Sequence, residues 1–204
     1  MRLVLCVLVA ALVGQPALAD DYWYGQPDWR LTLRPYVGVG GSYVHHTGHD
    51  LDTPLKAEQW EVGGKAFGGI EITRQLNAEV AFHYLNETQL VPTFAPWKES
   101  SYAVAGSLLL FTPPFFWPSE AFPYRWFFRA GGVYKHITDT NPFIGPTPVE
   151  VEDGFGLLLG AGVEVEFTKT WFGRIEYEYL SKIGTLRAIN VQHTPISASI
   201  GAKF

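Results

Sequence analysis

Read in steps of two, the segment from Leu157 sends Leu157, Leu159, Ala161, Val163, Val165 and Phe167 to one face, and Leu158, Gly160, Gly162, Glu164 and Glu166 to the other. A period of two is that of a strand, not of a helix. From Trp171 the pattern recurs, with Ile175, Tyr177 and Tyr179 on one side and Arg174, Glu176 and Glu178 on the other. A soluble sheet also alternates, but its polar face meets water. Here the polar face is rich in glycine and in opposite charges, which suits a narrow polar lumen inside an apolar wall. The pattern predicts eight strands, over 31–44, 60–73, 77–85, 101–111, 124–136, 153–167, 171–180 and 194–204.

The connections alternate as well. Arg74-Gln75-Leu76 and Thr168-Lys169-Thr170 read as tight turns, whereas 45–59, 86–99, 137–152 and 181–193 read as long polar loops rich in Pro, Asn or Asp. Short inner turns and long outer loops, with strands of about ten residues, are the pattern of a transmembrane barrel. The connection 112–123 breaks the alternation: it is an inner one, yet long and aromatic, with Phe115, Phe116, Trp117 and Phe122. Tyr and Trp gather at strand ends. Tyr22, Trp23, Tyr24 and Trp29 precede the first strand, Trp60 and Tyr84 mark the outer rim, and Tyr124 and Trp126 mark the inner one, as in an aromatic girdle at each headgroup level. The expected fold class is all-β, an eight-stranded antiparallel up-and-down transmembrane β-barrel.

Composition narrows the function. The 204 residues are 47% hydrophobic and 17% charged, which excludes a disordered chain, and 15 Lys plus Arg against 20 Asp plus Glu leave no basic footprint, so nucleic acid is not an expected partner. Arg2, the apolar run from Leu3 to Val13 and the Ala17-Leu18-Ala19 exit read as a secretory signal peptide over 1–19. A periplasmic N-terminal segment over 20–30 and a barrel domain over 31–204 then follow. The single cysteine, Cys6, lies in the signal, so the mature chain has no thiol for a disulfide, a metal or catalysis.

Parity sends Arg34, Lys65, Glu71, Glu79, His83, Arg129, Lys135, Glu164, Glu166, Arg174, Glu176, Glu178 and Lys203 inward. An eight-stranded barrel is only just wide enough for its side chains to fill, and buried charges must be paired. The expectation is a salt-bridged plug, at most a small gated ion path, and not an open pore.

Several motifs in order carry a family resemblance. Gly63-Gly64-Lys65-Ala66-Phe67-Gly68-Gly69, then Gly160-Ala161-Gly162-Val163-Glu164, then Arg174-Ile175-Glu176-Tyr177-Glu178-Tyr179 with Ile183-Gly184, and a last strand ending in Phe204, resemble the membrane domain of the OmpA-type outer membrane proteins across 31–204. The resemblance implies residence in the bacterial outer membrane, among outer membrane lipid and lipopolysaccharide. It also implies a C-terminal signal at Phe204 for the barrel assembly machinery. It further implies a lumen gate in which a carboxylate switches between an arginine and a lysine. Glu79, Arg174 and Glu164 fall on matching positions, while the lysine position holds Ser107, so that Lys65 or Arg129 would be the alternative partner. Glu79, Arg174, Glu164, Glu176, Lys65 and Arg129 are thus the expected lumen network. The family's founding members carry a peptidoglycan-binding domain after the barrel; here the chain stops at Phe204, so peptidoglycan anchoring is not carried over.

Other chemistry is thinner. A lipid A-modifying enzyme needs a nucleophile or general base on the lipid-facing surface. No Ser, His or Asp stands out mid-membrane on that face, the His-x-Ser-Asn arrangement of the deacylase family is absent, and His83 shares the inward face of Glu79. The expectation is therefore a non-enzymatic barrel without a cofactor. His45, His46 and His49 with Asp50 and Asp52 are weak candidate metal ligands in the first outer loop, and no metal is expected. Asp139, Glu150 and Glu152 stand among three prolines in the third. Outer loops on a rigid scaffold are where ligand binding evolves, so an adhesin or receptor for host or phage surface ligands is the main alternative to a structural role.

Overall fold

A computed structural model describes residues 30–50, 56–89, 98–113, 115–116, 123–140, 148–181 and 189–204. The expected signal peptide and all of the N-terminal segment except Arg30 lie outside the described residues, as do Tyr22, Trp23, Tyr24 and Trp29. The strands are β1 (Arg34–Asp50), β2 (Lys56–Glu71), β3 (Leu76–Gln89), β4 (Lys98–Phe111), β5 (Phe115–Phe116), β6 (Pro123–Thr140), β7 (Pro148–Glu166), β8 (Trp171–Leu180) and β9 (Ile189–Lys203). All pairings are antiparallel, in the order β4-β3-β2-β1-β9-β8-β7-β6, and a β4–β6 ladder closes the ring. The result is an eight-stranded up-and-down barrel, with β5 a two-residue strip against Pro123 and Tyr124.

Closure follows from the alternation. In β8 the burial switches at every residue, with Phe172, Arg174, Glu176, Glu178 and Leu180 inside. In β4 the odd residues from Ser101 to Phe111 are buried and the even ones exposed. The exposed wall is apolar, including Val62, Val80, Phe128, Leu157, Leu159 and Ile175. Such a surface is stable only against lipid.

Both tight inner turns use the same device. Thr73 Oγ1 accepts from the amides of Gln75 and Leu76 at 3.2 and 3.0 Å, and Thr168 Oγ1 accepts from those of Thr170 and Trp171 at 3.2 and 2.9 Å. A threonine at the first corner satisfies amides that the ladder cannot reach. Glycines admit rings inside the barrel: a Cβ on Gly38 would lie 2.2 Å from the Phe67 ring, and one on Gly201 would lie 2.3 Å from that of Phe172.

The strands run further outward than the alternation predicts. β1 continues through His45–Asp50, paired to Lys56–Trp60 and to Ile189–Thr194, and β6 and β7 pair as far as Thr140 and Pro148. Residues expected in loops at 45–50, 56–59, 86–89, 98–99, 137–140, 148–152 and 189–193 are therefore strand. Backbone pairing continues there although the alternation fades. Asp139 and Glu150, expected in the third loop, are cross-strand partners. The connection 112–123 is not wholly loop, because β5 interrupts it.

Candidate functional site

The barrel interior brings five cations and six carboxylates into one network. Arg174 on β8 donates to Glu79 on β3 at 2.7 Å and to Glu164 on β7 at 2.9 Å. Glu79 also accepts from the Tyr36 hydroxyl at 3.1 Å, and its other oxygen lies 3.0 Å from Arg129 on β6, out of line for a hydrogen bond. Arg129 reaches Glu178 at 2.7 Å and Glu176 at 3.3 Å, and Lys65 on β2 reaches Glu176 at 2.5 Å and Glu178 at 3.3 Å. Towards the inner mouth, Glu164 accepts from Arg125 at 2.8 Å and from Lys203 at 3.0 Å, while Glu71 and Glu166 flank both cations.

Burial makes these contacts strong and hard to lose. The side chains of Lys65, Glu79, Arg129, Glu164, Arg174, Glu176 and Glu178 have no exposed surface. Removing one partner of such a pair costs about 3–5 kcal/mol, because the other is left uncompensated in a dry site. The Arg174 guanidinium is further caged by Tyr36, Phe67, Phe127 and Phe172, whose ring centroids lie 5.0–5.8 Å away. Every carboxylate in the network has a cation against it, so none is left as a base or a metal ligand.

Apolar side chains are interleaved with the network and cover its outer side. Among the charges lie Tyr36, Phe67, Ala81 and Phe172, with Leu109, Phe111 and Phe127 beside them. Towards the outer rim, Val44, Leu85, Ala103, Ala105, Val133, Leu158 and Leu180 form a buried cluster drawn from six of the eight strands. Lys135 is fully buried beside this outer layer, donating to the Leu180 carbonyl at 2.6 Å and meeting His193 Nδ1 at 3.1 Å.

All six residues expected in the lumen network lie within it. Ser107, on the position where the family resemblance calls for a lysine, accepts from Arg129 Nε at 2.9 Å. That contact orients Arg129 beside Glu79, whereas Lys65 is engaged by Glu176 and Glu178. Sequence reasoning missed Arg125, although its odd parity with Arg129 on one strand signals an inward position. It also counted Arg34 as a lumen residue; the structure puts it at the inner rim, half-buried and bonded to the Lys169 carbonyl. The apolar outer layer was not anticipated either, because only polar residues were sought inside. Phe204 donates its backbone amide to Pro35 at 2.9 Å.

His45, His46 and His49 lie on β1, not in a loop, opposite Trp60, Gln59 and Lys56. The His45 ring stacks on Trp60 at 4.4 Å; the side chains of His46 and His49 are outside the described residues. At the outer rim β6 turns His136 and Thr138 outward towards Asp153, a grouping that a search of the mid-membrane lipid face passes over.

The family model described as "Outer membrane protein beta-barrel domain" matches residues 5–204. Outer membrane protein A of Klebsiella aerogenes is 23% identical over 197 residues, covering 95% of this chain and 51% of that protein. Its counterpart in Serratia marcescens is 23% identical, with 95% and 52% covered. The chain thus spans about half the length of these relatives. Among solved structures it is similar to OprG of Pseudomonas aeruginosa (TM-score 0.58, 12% identity, 85% of this chain and 97% of that one). It is also similar to Neisserial surface protein A (TM-score 0.56, 17% identity, 83% and 97%). These likenesses show the fold.

Proposed function

Because the chain belongs to the outer membrane protein beta-barrel domain family, and so crosses the bacterial outer membrane as an eight-stranded barrel, we propose that it is a sealed structural barrel whose charged lumen passes no solute. Within it the carboxylates and cations act as cross-braces and not as a conduit. The observation that carries this reading is the double closure of the interior: an ion-paired network whose central side chains have no exposed surface, packed among aromatic rings, with an apolar layer on its outer side. An ion crossing the lumen would have to displace Arg174 from two carboxylates and then carry water into the layer around Leu158, and hydrophobic constrictions of this kind gate by excluding water.

The rigid barrel would present its outer connections for surface interaction, and the strand extensions beyond the girdle support this. The pairing of β6 with β7 continues to Thr140 opposite Pro148. Lipopolysaccharide would be the neighbour of the exposed outer wall, and the strand ending in Phe204 would be what the barrel assembly machinery engages. Vesicles carrying the refolded protein test the sealed lumen, with swelling in small sugars no faster than in protein-free vesicles as the expected result. Exchange of the four outer connections should leave envelope integrity unchanged if the barrel is the functional part; loss of host-cell or phage attachment alone would favour the receptor reading.

A further inference from the structure

Outside the lumen, at the outer end of β6 and β7, three polar side chains form a relay on the lipid-facing wall. His136 and Asp153 are directly opposite in register, and His136 Nδ1 lies 2.5 Å from Asp153 Oδ1. Thr138, two residues on and so on the same face, brings its hydroxyl within 3.3 Å of His136 Nε2. An ionised carboxylate only accepts, so Nδ1 carries the proton and Nε2 presents a lone pair to the Thr138 hydroxyl. The ring is held as well as aligned: the Tyr102 ring lies tilted against it, centroids 4.7 Å apart, and Tyr134 lies beside the same aspartate. A hydroxyl, an imidazole and a carboxylate in this order are the parts of a nucleophile activated by an oriented base, with contacts that are characteristically looser before substrate binds.

Depth selects the substrate. Trp126 marks the inner girdle on β6, and the ten residues from there to His136 rise about 26 Å at 3.4 Å each and a tilt near 40°, against an apolar band about 25 Å tall. His136 therefore stands where the hydrocarbon of the outer leaflet ends, the level of the ester bonds that join acyl chains to their headgroups. Its side chain is 25% exposed and that of Asp153 is 51% exposed, so the relay is open to lipid from the side.

We propose that Thr138, His136 and Asp153 form an acyl-ester hydrolase site facing the outer leaflet. Thr138 Oγ bonds to the ester carbonyl carbon as its proton passes to His136 Nε2. The carbon–oxygen bond to the alcohol breaks, and the alcohol leaves with that proton. Water then attacks the acyl-threonine, gives a proton to His136, and releases the fatty acid as Thr138 Oγ takes the proton back. Ester and water become acid and alcohol, and Asp153 holds the imidazole throughout. The site lies on the outside of the wall and does not depend on the sealed lumen.

The test uses the full mature chain refolded into two kinds of vesicle, one of dioleoyl phosphatidylethanolamine alone and one that also contains lipopolysaccharide, with released fatty acids identified by mass spectrometry. Release above protein-free vesicles is expected, and the identity of the acid tells which lipid is cut. His136→Asn and Thr138→Val should each lower the rate about 100-fold or more, while Thr138→Ser retains it. Heat-modifiable gel migration confirms that every variant is folded. An independent readout is an acyl mass on the peptide containing Thr138 after acid quenching, absent from Thr138→Val. No release from either vesicle by folded protein, or release unchanged in His136→Asn, overturns the proposal.

Discussion

Replacing Arg174 with alanine tests whether the lumen is held by ion pairing. The substitution removes two hydrogen-bonded ion pairs, at 2.7 and 2.9 Å, and empties a cage of four aromatic rings. Neither carboxylate is stranded: Glu79 keeps Arg129 and Tyr36, and Glu164 keeps Arg125 and Lys203. The loss should therefore fall towards the lower end of the range for breaking a buried pair, about 3 kcal/mol. Glu79→Ala should cost less, because each arginine it leaves still faces another carboxylate. The double replacement should cost less than the sum of the two by about 1–3 kcal/mol. The same cycle on Glu79 and Arg129 should show weaker coupling, since that contact is out of line for a hydrogen bond. Denaturant unfolding in detergent micelles, followed by tryptophan fluorescence, measures each corner. Additivity to within about 0.5 kcal/mol for Glu79 and Arg174 would refute the reasoning.

Leu159→Lys places a charge on the outer wall about midway between the girdles, where Leu159 faces Ala130 and Tyr179; it should destabilise the barrel by about 2–4 kcal/mol in vesicles, and a neutral result would shift the facing of β7 by one residue. Gly201→Val puts a methine within 2.3 Å of the Phe172 ring and 2.8 Å of the Val37 carbonyl. It should cost at least about 1–3 kcal/mol by overpacking, read as a lower unfolding midpoint; an unchanged midpoint would mean that the ring has room to move.

The barrel was legible in the sequence wherever one face of a strand meets lipid and the other the lumen, because only there does alternation separate apolar from polar. In β7 and β8 it assigns every face from Leu157 to Leu180. It fails at the outer ends, where His45–Asp50 and the residues opposite read as loop although the ladder continues. Inside, the charged positions could be listed by parity, but their partners could not: Glu79 and Arg174 lie 95 residues apart and meet only through closure of the ring. Parity places Leu158 inward, but the layer around it escaped because its members come from six strands that meet only through closure of the ring. The relay at His136 escaped because its depth depends on where β6 begins, which the aromatic stretch 112–123 obscures.

Single-channel recording in planar bilayers tests the sealed lumen most directly, on the wild-type protein, on Arg174→Ala and on Leu158→Ser. The wild type should carry no steady current. Arg174→Ala should add little, because the outer apolar layer stands intact above the site, whereas Leu158→Ser combined with Arg174→Ala should give resolved openings by letting water through that layer. A steady open current from the folded wild-type barrel would contradict the account.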